Sequence, residues 1–318
     1  MQAIRACLTW KKCSGLPMKS SEGRTVIIND RVYYGGGSTD VDNHDNEYTV
    51  CCYDPSQDKW TTLPPLPVRW FGLGEIGGKL VATGGRKKLD NRATNEIHSY
   101  NDRLHKWKQT IPPMKTARWS PGVLSLQSAA ILVAGGRCAQ SSYTDVLEVF
   151  SAETSQWYSA DPLPTPCSSI ALVDIGSTCY ALGGYKYLSR LNQALRASIG
   201  DLFRNAIPAN QTSSSSHDVT QSAWKPLPKL SNNQPAAGVL SGNLLALGGK
   251  GLSSGGNRKE VCMYLPLNNS WIYFNDLPAP MFGTAVAVLS STEILLIGGE
   301  GNENRLDTVY KGVLAFRL

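Results

Sequence analysis

The chain has 318 residues, 42% of them hydrophobic and 18% charged, with a formal net charge of +6. That apolar share suits a globular protein of one large or two ordinary domains, and no stretch reaches the roughly 18 apolar residues of a membrane span. The charge is mild and holds no basic run interleaved with aromatics, which argues against nucleic acid as a partner.

The first element, "CLTWKKCSGLP", carries Trp10 and a Leu-Pro exit but follows no apolar run that would partner it. From residue 24 onward a unit repeats. An apolar strand (a) meets a tight turn, and a second strand (b) ends in a glycine pair. A third strand (c) carries an aromatic, and a fourth (d) carries tryptophan before a proline-rich exit. The pairs are Gly35-Gly36, Gly84-Gly85, Gly135-Gly136, Gly183-Gly184, Gly248-Gly249 and Gly298-Gly299, at intervals of 49, 51, 48, 65 and 50 residues. Trp10, Trp60, Trp107, Trp157, Trp224 and Trp271 recur nearly in step, with Tyr53, Tyr100, Phe150 and Tyr264 seven residues before four of them.

Four strands in about 50 residues cannot bury their own core, so units must stack face to face, and a radial stack closes into a propeller. The expected fold is all-β, with six blades of four antiparallel strands, and these glycines and tryptophans are structural. The expected blades span 24–66, 71–114, 120–164, 168–230, 236–281 and 283–318. The last is one strand short. Residues 7–14 are expected to supply that strand, which removes an open edge and closes the ring.

The fourth unit is irregular. Trp224 follows Gly184 by 40 residues, where Trp157 follows Gly136 by 21. A polar, serine-rich insertion over about 204–222 accounts for the excess and reads as a solvated loop. Before it, "LSRLNQALRASIGDLF" has apolar residues at helical spacing, yet the repeat requires a strand around Gln193–Ile199.

Taken together, the glycine pair, the aromatic and the tryptophan at an interval near 50 resemble the kelch repeat over nearly the whole chain. The resemblance implies a kelch-type propeller without an attached BTB/BACK region in this sequence. It implies partners as diverse as degradation substrates and actin, so an adaptor or substrate-recognition module is the first expectation and a cytoskeletal role the second. Some kelch-type propellers are copper or iron enzymes. Here His44, His98, His105 and His217 form no ligand set, so neither catalysis, cofactor nor metal is expected. The eight cysteines form no C-x-x-C pair, and no apolar signal segment stands at the N-terminus. A reduced, cytoplasmic and monomeric domain is therefore expected.

In a propeller the b–c and d–a loops emerge on one face, where binding concentrates. Their charges divide into two arcs. Blades 2 to 5 contribute Arg86, Lys87, Lys88, Arg137, Lys186, Arg190, Lys250 and Arg258 beside Tyr185 and Tyr187. Blades 6 and 1 contribute Glu300, Glu303 and Asp307, then Asp40, Asp42, Asp45 and Glu47. Two d–a loops add Arg69-Trp70 and Arg118-Trp119, whose tryptophans lie outside the repeat position. The expected ligand is a protein, as an acidic or phosphorylated peptide held by arginine forks, with Trp70 or Trp119 as apolar anchor.

Overall fold

A computed structural model describes residues 5–39, 44–139, 142–187, 189–203, 207–208, 222–252 and 255–317. Asp40, Asp42 and most of the serine-rich insertion lie outside them. Six sheets form a ring, each with four main strands in the order a-b-c-d from the channel outward. Blade 1 is Arg24–Ile28, Arg31–Gly35, Val50–Asp54 and Lys59–Thr62. Blade 5 repeats it as Ala236–Leu240, Asn243–Leu247, Glu260–Leu265 and Ser270–Asp276. Every strand a touches the strand a of both neighbouring blades, so these six strands wall the central channel.

The ring closes as the orphan N-terminal element requires. Arg5–Cys13 pairs antiparallel with Val309–Arg317 in nine consecutive registers, from Arg5 opposite Arg317 to Cys13 opposite Val309. Trp10 faces Gly312, where regular blades place an aromatic. A β-carbon there would stand 2.5 Å from the indole, so the small residue admits the ring.

The repeated residues bind blade to blade. Each repeat tryptophan donates its indole N–H to a carbonyl in the exit of the preceding blade. Trp60 reaches Ser14 at 2.9 Å, Trp107 Pro64 at 2.8 Å, Trp157 Pro112 at 2.7 Å and Trp271 Pro228 at 2.9 Å. Trp224 reaches Asp161 at 3.3 Å, and Trp10 reaches Asp276 at 2.8 Å. The aromatic beside the tryptophan packs at ring distances of 4.9 to 5.4 Å in four blades. In three of them its hydroxyl also meets the positive-φ residue of the c–d turn, namely Asp58, His105 and Asn269.

The glycine pair divides its work. A β-carbon on Gly84 would lie 2.4 Å from the Arg118 carbonyl of the next blade, and the N–H of Gly85 donates to that same carbonyl at 2.8 Å. Both glycines have positive φ, which only glycine adopts readily, so the two features demand the residue type. Blade 1 departs from the expected alignment. Gly35 ends strand b, and the repeat position falls on Gly36-Gly37, because Gly36 has the positive φ and lies against Phe71 of the next blade.

Blade 4 keeps its third strand, Ala194–Ser198, and then a single helical turn, Ile199–Phe203. Its fourth strand is reduced to Lys225–Pro226. Ile207–Pro208 crosses to the outer edge of blade 3 and pairs with Gln156–Ala160 as a fifth strand. Part of the insertion is therefore β-structure, which its composition does not signal. All eight cysteines are free thiols. Burial pushes those of Cys51, Cys167 and Cys179 up to about 12, which leaves them inert.

Candidate functional site

Each d–a entry segment pairs with the b–c loop of its own blade. Ser20–Ser21 meets Ser38–Thr39, Val68–Arg69 meets Arg86–Lys87, and Asn232–Asn233 meets Lys250–Gly251. Trp119 meets Arg137, Phe282 meets Glu300, and Ser168 meets Tyr185. These short ladders hold both loop sets on one face. Just after each entry one residue takes positive φ: Glu22, Trp70, Ser120, Ser169, Gln234 and Gly283. They are equivalent positions of the six blades and ring the channel mouth. Neighbouring members are linked where Ser120 donates to the Trp70 carbonyl at 2.6 Å, Ser169 to Ser120 at 2.9 Å and Glu22 to Gly283 at 2.6 Å.

The two charge arcs neutralise each other where they meet. At the blade 1–2 boundary Arg69 pairs with Glu47 at 2.7 Å and Lys88 with Asp45 at 2.8 Å. At the blade 5–6 boundary Lys250 stands 3.5 Å from Glu300. Within the basic arc Lys87 is held by Glu96 at 2.6 Å, and Arg258 lies 3.9 Å from Glu260. Arg305 crosses from blade 6 to the carbonyl of Thr39 at 2.6 Å.

Between these seams cations alternate with aromatic rings. Arg69 lies 4.3 Å from the Trp70 ring, and Arg86 lies 5.6 Å from Trp70 and 5.2 Å from Trp119. Arg137 lies 5.3 Å from Trp119 and 5.2 Å from Tyr143. Arg190 lies 4.4 Å from Phe282 and 6.0 Å from Tyr185, and Lys186 covers Tyr187 at 5.4 Å. Ring faces hold guanidinium groups by their quadrupole without neutralising them, so Arg86 and Arg190, which have no ion pair among the described residues, keep their positive field. Partial burial, then the like charges of Arg69 and Arg137, lower the Arg86 pKa below its usual value.

Two expected ligand residues do not serve as such. Arg118 is 0% exposed. It pairs with buried Glu148 and donates to the carbonyls of Gly135 at 3.0 Å and Val146 at 2.6 Å. Its donors are spent on bracing blades 2 and 3, because a buried guanidinium requires such partners. Trp119 is 4% exposed and is the platform between Arg86 and Arg137 rather than a free anchor. The accessible aromatics are the tyrosines: Tyr187 is 61% exposed and packs 5.2 Å from Tyr143, which lies 6.3 Å from Tyr185.

A cavity of about 260 Å³ opens at the mouth, lined by Glu22, Trp70, Ser169, Tyr185, Arg137 and Arg190 among others. Glu22 escaped the sequence reading, since only the ring of positive-φ residues identifies its place. Below it Arg24 donates to the carbonyls of Glu22 at 2.8 Å, Gly23 at 3.2 Å and, across the channel, Pro121 at 3.4 Å. No group of three or more His, Cys, Asp or Glu side chains suited to a metal occurs among the described residues. His98 is buried on strand c beside Gln109 and Glu96, away from the mouth. Among the described residues no helix is long and apolar enough to cross a membrane.

Comparison with known proteins agrees with this architecture. Residues 21–67 match the Kelch motif. Kelch-like protein 40 of Mus musculus is 31% identical over 175 residues, 54% of this chain and 28% of that protein. Kelch-like protein 23 of Pongo abelii is 23% identical over 283 residues, 86% of this chain and 45% of that protein. The match thus spans between about a quarter and a half of these relatives' length. The solved structure of YjhT superimposes with a TM-score of 0.73 at 17% identity, covering 96% of this chain and 99% of that one, which speaks to the fold. The chain thus carries a Kelch motif, folds as a six-bladed propeller and is similar to kelch-like proteins over much of its length.

Proposed function

We propose that this propeller is a non-catalytic, cytoplasmic protein-interaction module that holds an acidic or phosphorylated peptide on its b–c/d–a face. One observation carries the reading: Arg86 and Arg190, with Arg137 between them, stand on aromatic platforms between two seams whose charges cancel. A field left positive over the blade 2 to blade 4 loops steers and orients an anionic partner, and arginine forks match carboxylate or phosphate oxygens. Tyr143, Tyr185 and Tyr187 supply the amphipathic area that anchors interfaces use. The kelch-like relatives support an interaction role in general.

The test is affinity capture from a cell extract with the intact chain beside an Arg86→Glu/Arg137→Glu control, followed by titration of the captured acidic segment. Reversal of both charges weakens that segment at least about tenfold, since each charge-assisted contact contributes on the order of 1.5–3 kcal/mol. Equal retention by both proteins sinks the reading.

A further inference from the structure

The mouth cavity is not uniformly positive. Arg137 from blade 3, Arg190 from blade 4 and Glu22 from the start of blade 1 line it together. Around the six-fold ring Glu22 occupies the position three blades from Ser169, hence across the mouth from the blade 4 entry. One carboxylate oxygen of Glu22 accepts from the Gln234 side chain at 3.0 Å. No described group donates to the other oxygen. Arg24, the nearest cation on the same strand, directs its Nε and Nη1 donors to carbonyls. Arg190 reaches from blade 4 to the Phe282 ring of the blade 6 entry; its Nε is buried with no hydrogen-bond partner and its guanidinium meets only rings among the described residues. The side-chain oxygen of nearly buried Gln234 is likewise unpartnered. Buried polar groups are rarely left so; the Arg190 Nε stands at the mouth cavity itself, and the Gln234 oxygen lies beside the Glu22 that also lines it.

We infer that the mouth binds a dipolar group, with an anion on Arg137 and Arg190 and a hydrogen-bond donor, ammonium or N–H, on Glu22. A sphere of the cavity's volume is about 8 Å across, within one Debye length, so both ends of such a group feel their partners unscreened. This inference rests on the proposed function. It adds that the recognised acidic residue presents its carboxylate together with a donor, and that Glu22 determines specificity by rejecting anions without one.

Matched small probes separate the two statements. Saturation-transfer NMR would compare 6-aminohexanoate with hexanoate, which differ only in the terminal ammonium, on the wild-type chain, Glu22→Gln and Arg190→Gln. The expected result is at least about tenfold tighter binding of 6-aminohexanoate. Its advantage disappears in Glu22→Gln, and both probes weaken in Arg190→Gln. Circular dichroism confirms that the variants are folded. Equal binding of the two probes to the wild type, or an advantage that survives Glu22→Gln, overturns the inference and leaves the acidic-ligand reading intact. Failure of both carboxylates to bind the mouth overturns the inference and counts against the reading as well.

Discussion

Arg118 and Arg190 lie on the same loop face, and a charge count treats them alike. At the blade 2–3 seam Arg118 is fully buried, paired with Glu148 and bonded to the carbonyls of Thr116, Gly135 and Val146. At the channel mouth Arg190 rests on Phe282 and Tyr185 with no ion pair among the described residues. The difference lies in depth. A guanidinium sealed between sheets must have every charge and donor answered, whereas one at a rim can keep its field for a ligand.

Substitution of each arginine breaks this comparison most directly. Arg118→Ala strands Glu148 as an unpaired buried carboxylate, and a loss of about 3–5 kcal/mol is expected. Arg190→Gln removes a charge that no described carboxylate pairs, so stability should fall by no more than about 1 kcal/mol, the worth of its ring contacts, while ligand binding falls. Urea titration of the two variants checks both. Similar losses for the two would show that Arg190 is structural as well.

The tryptophans divide in the same way and give the next effect in size. Trp10, on the strand that completes blade 6, donates to the Asp276 carbonyl across the seam with blade 5. Trp70 sits at the mouth beneath Arg69 and Arg86. Trp10→Ala removes a large ring from a blade seam, for which a cost of about 3–5 kcal/mol is the upper range, reduced here because Trp10 is only partly buried. Trp70→Ala should cost less than half as much. A scanning-calorimetry ranking in the opposite order would place the weak point of the ring at the mouth rather than at its closure.

The division also explains what the amino-acid order reveals. Glycine pairs, tryptophans and prolines recur because every seam needs the same close approach and the same indole-to-carbonyl bond, so six copies make the fold legible. The face has no such redundancy. Arg69–Glu47, Lys88–Asp45 and Lys250–Glu300 join residues of different blades, and nothing local foretells which cations will be cancelled. Glu22 is invisible for the same reason, being one member of a ring whose other residues are Trp70, Ser120, Ser169, Gln234 and Gly283. Three successive glycines, Gly35 to Gly37, likewise hide that only Gly36 adopts positive φ and that Gly35 ends strand b.

The smallest expected effect concerns a seam held by a carboxylate rather than by a buried guanidinium. Asp58 in the c–d turn of blade 1 accepts from the Tyr53 hydroxyl at 2.6 Å and from the Ser14 N–H at 2.8 Å, tying the closing strand's exit to blade 1. The Tyr53 hydroxyl first, and the Ser14 N–H next, hold its pKa below the usual carboxylate value. A depressed folded pKa means that the unfolded chain takes up the proton first. The contribution is therefore present above the unfolded value, near 3.9, and is lost as pH falls through the folded one. Asp58→Asn keeps an acceptor oxygen for both donors but cannot titrate. Its melting temperature should fall less steeply than that of the wild type below about pH 4, by a margin well under that of Arg118→Ala. Parallel acid profiles for the two proteins would mean that the bonds at this seam do not depend on the charge of Asp58.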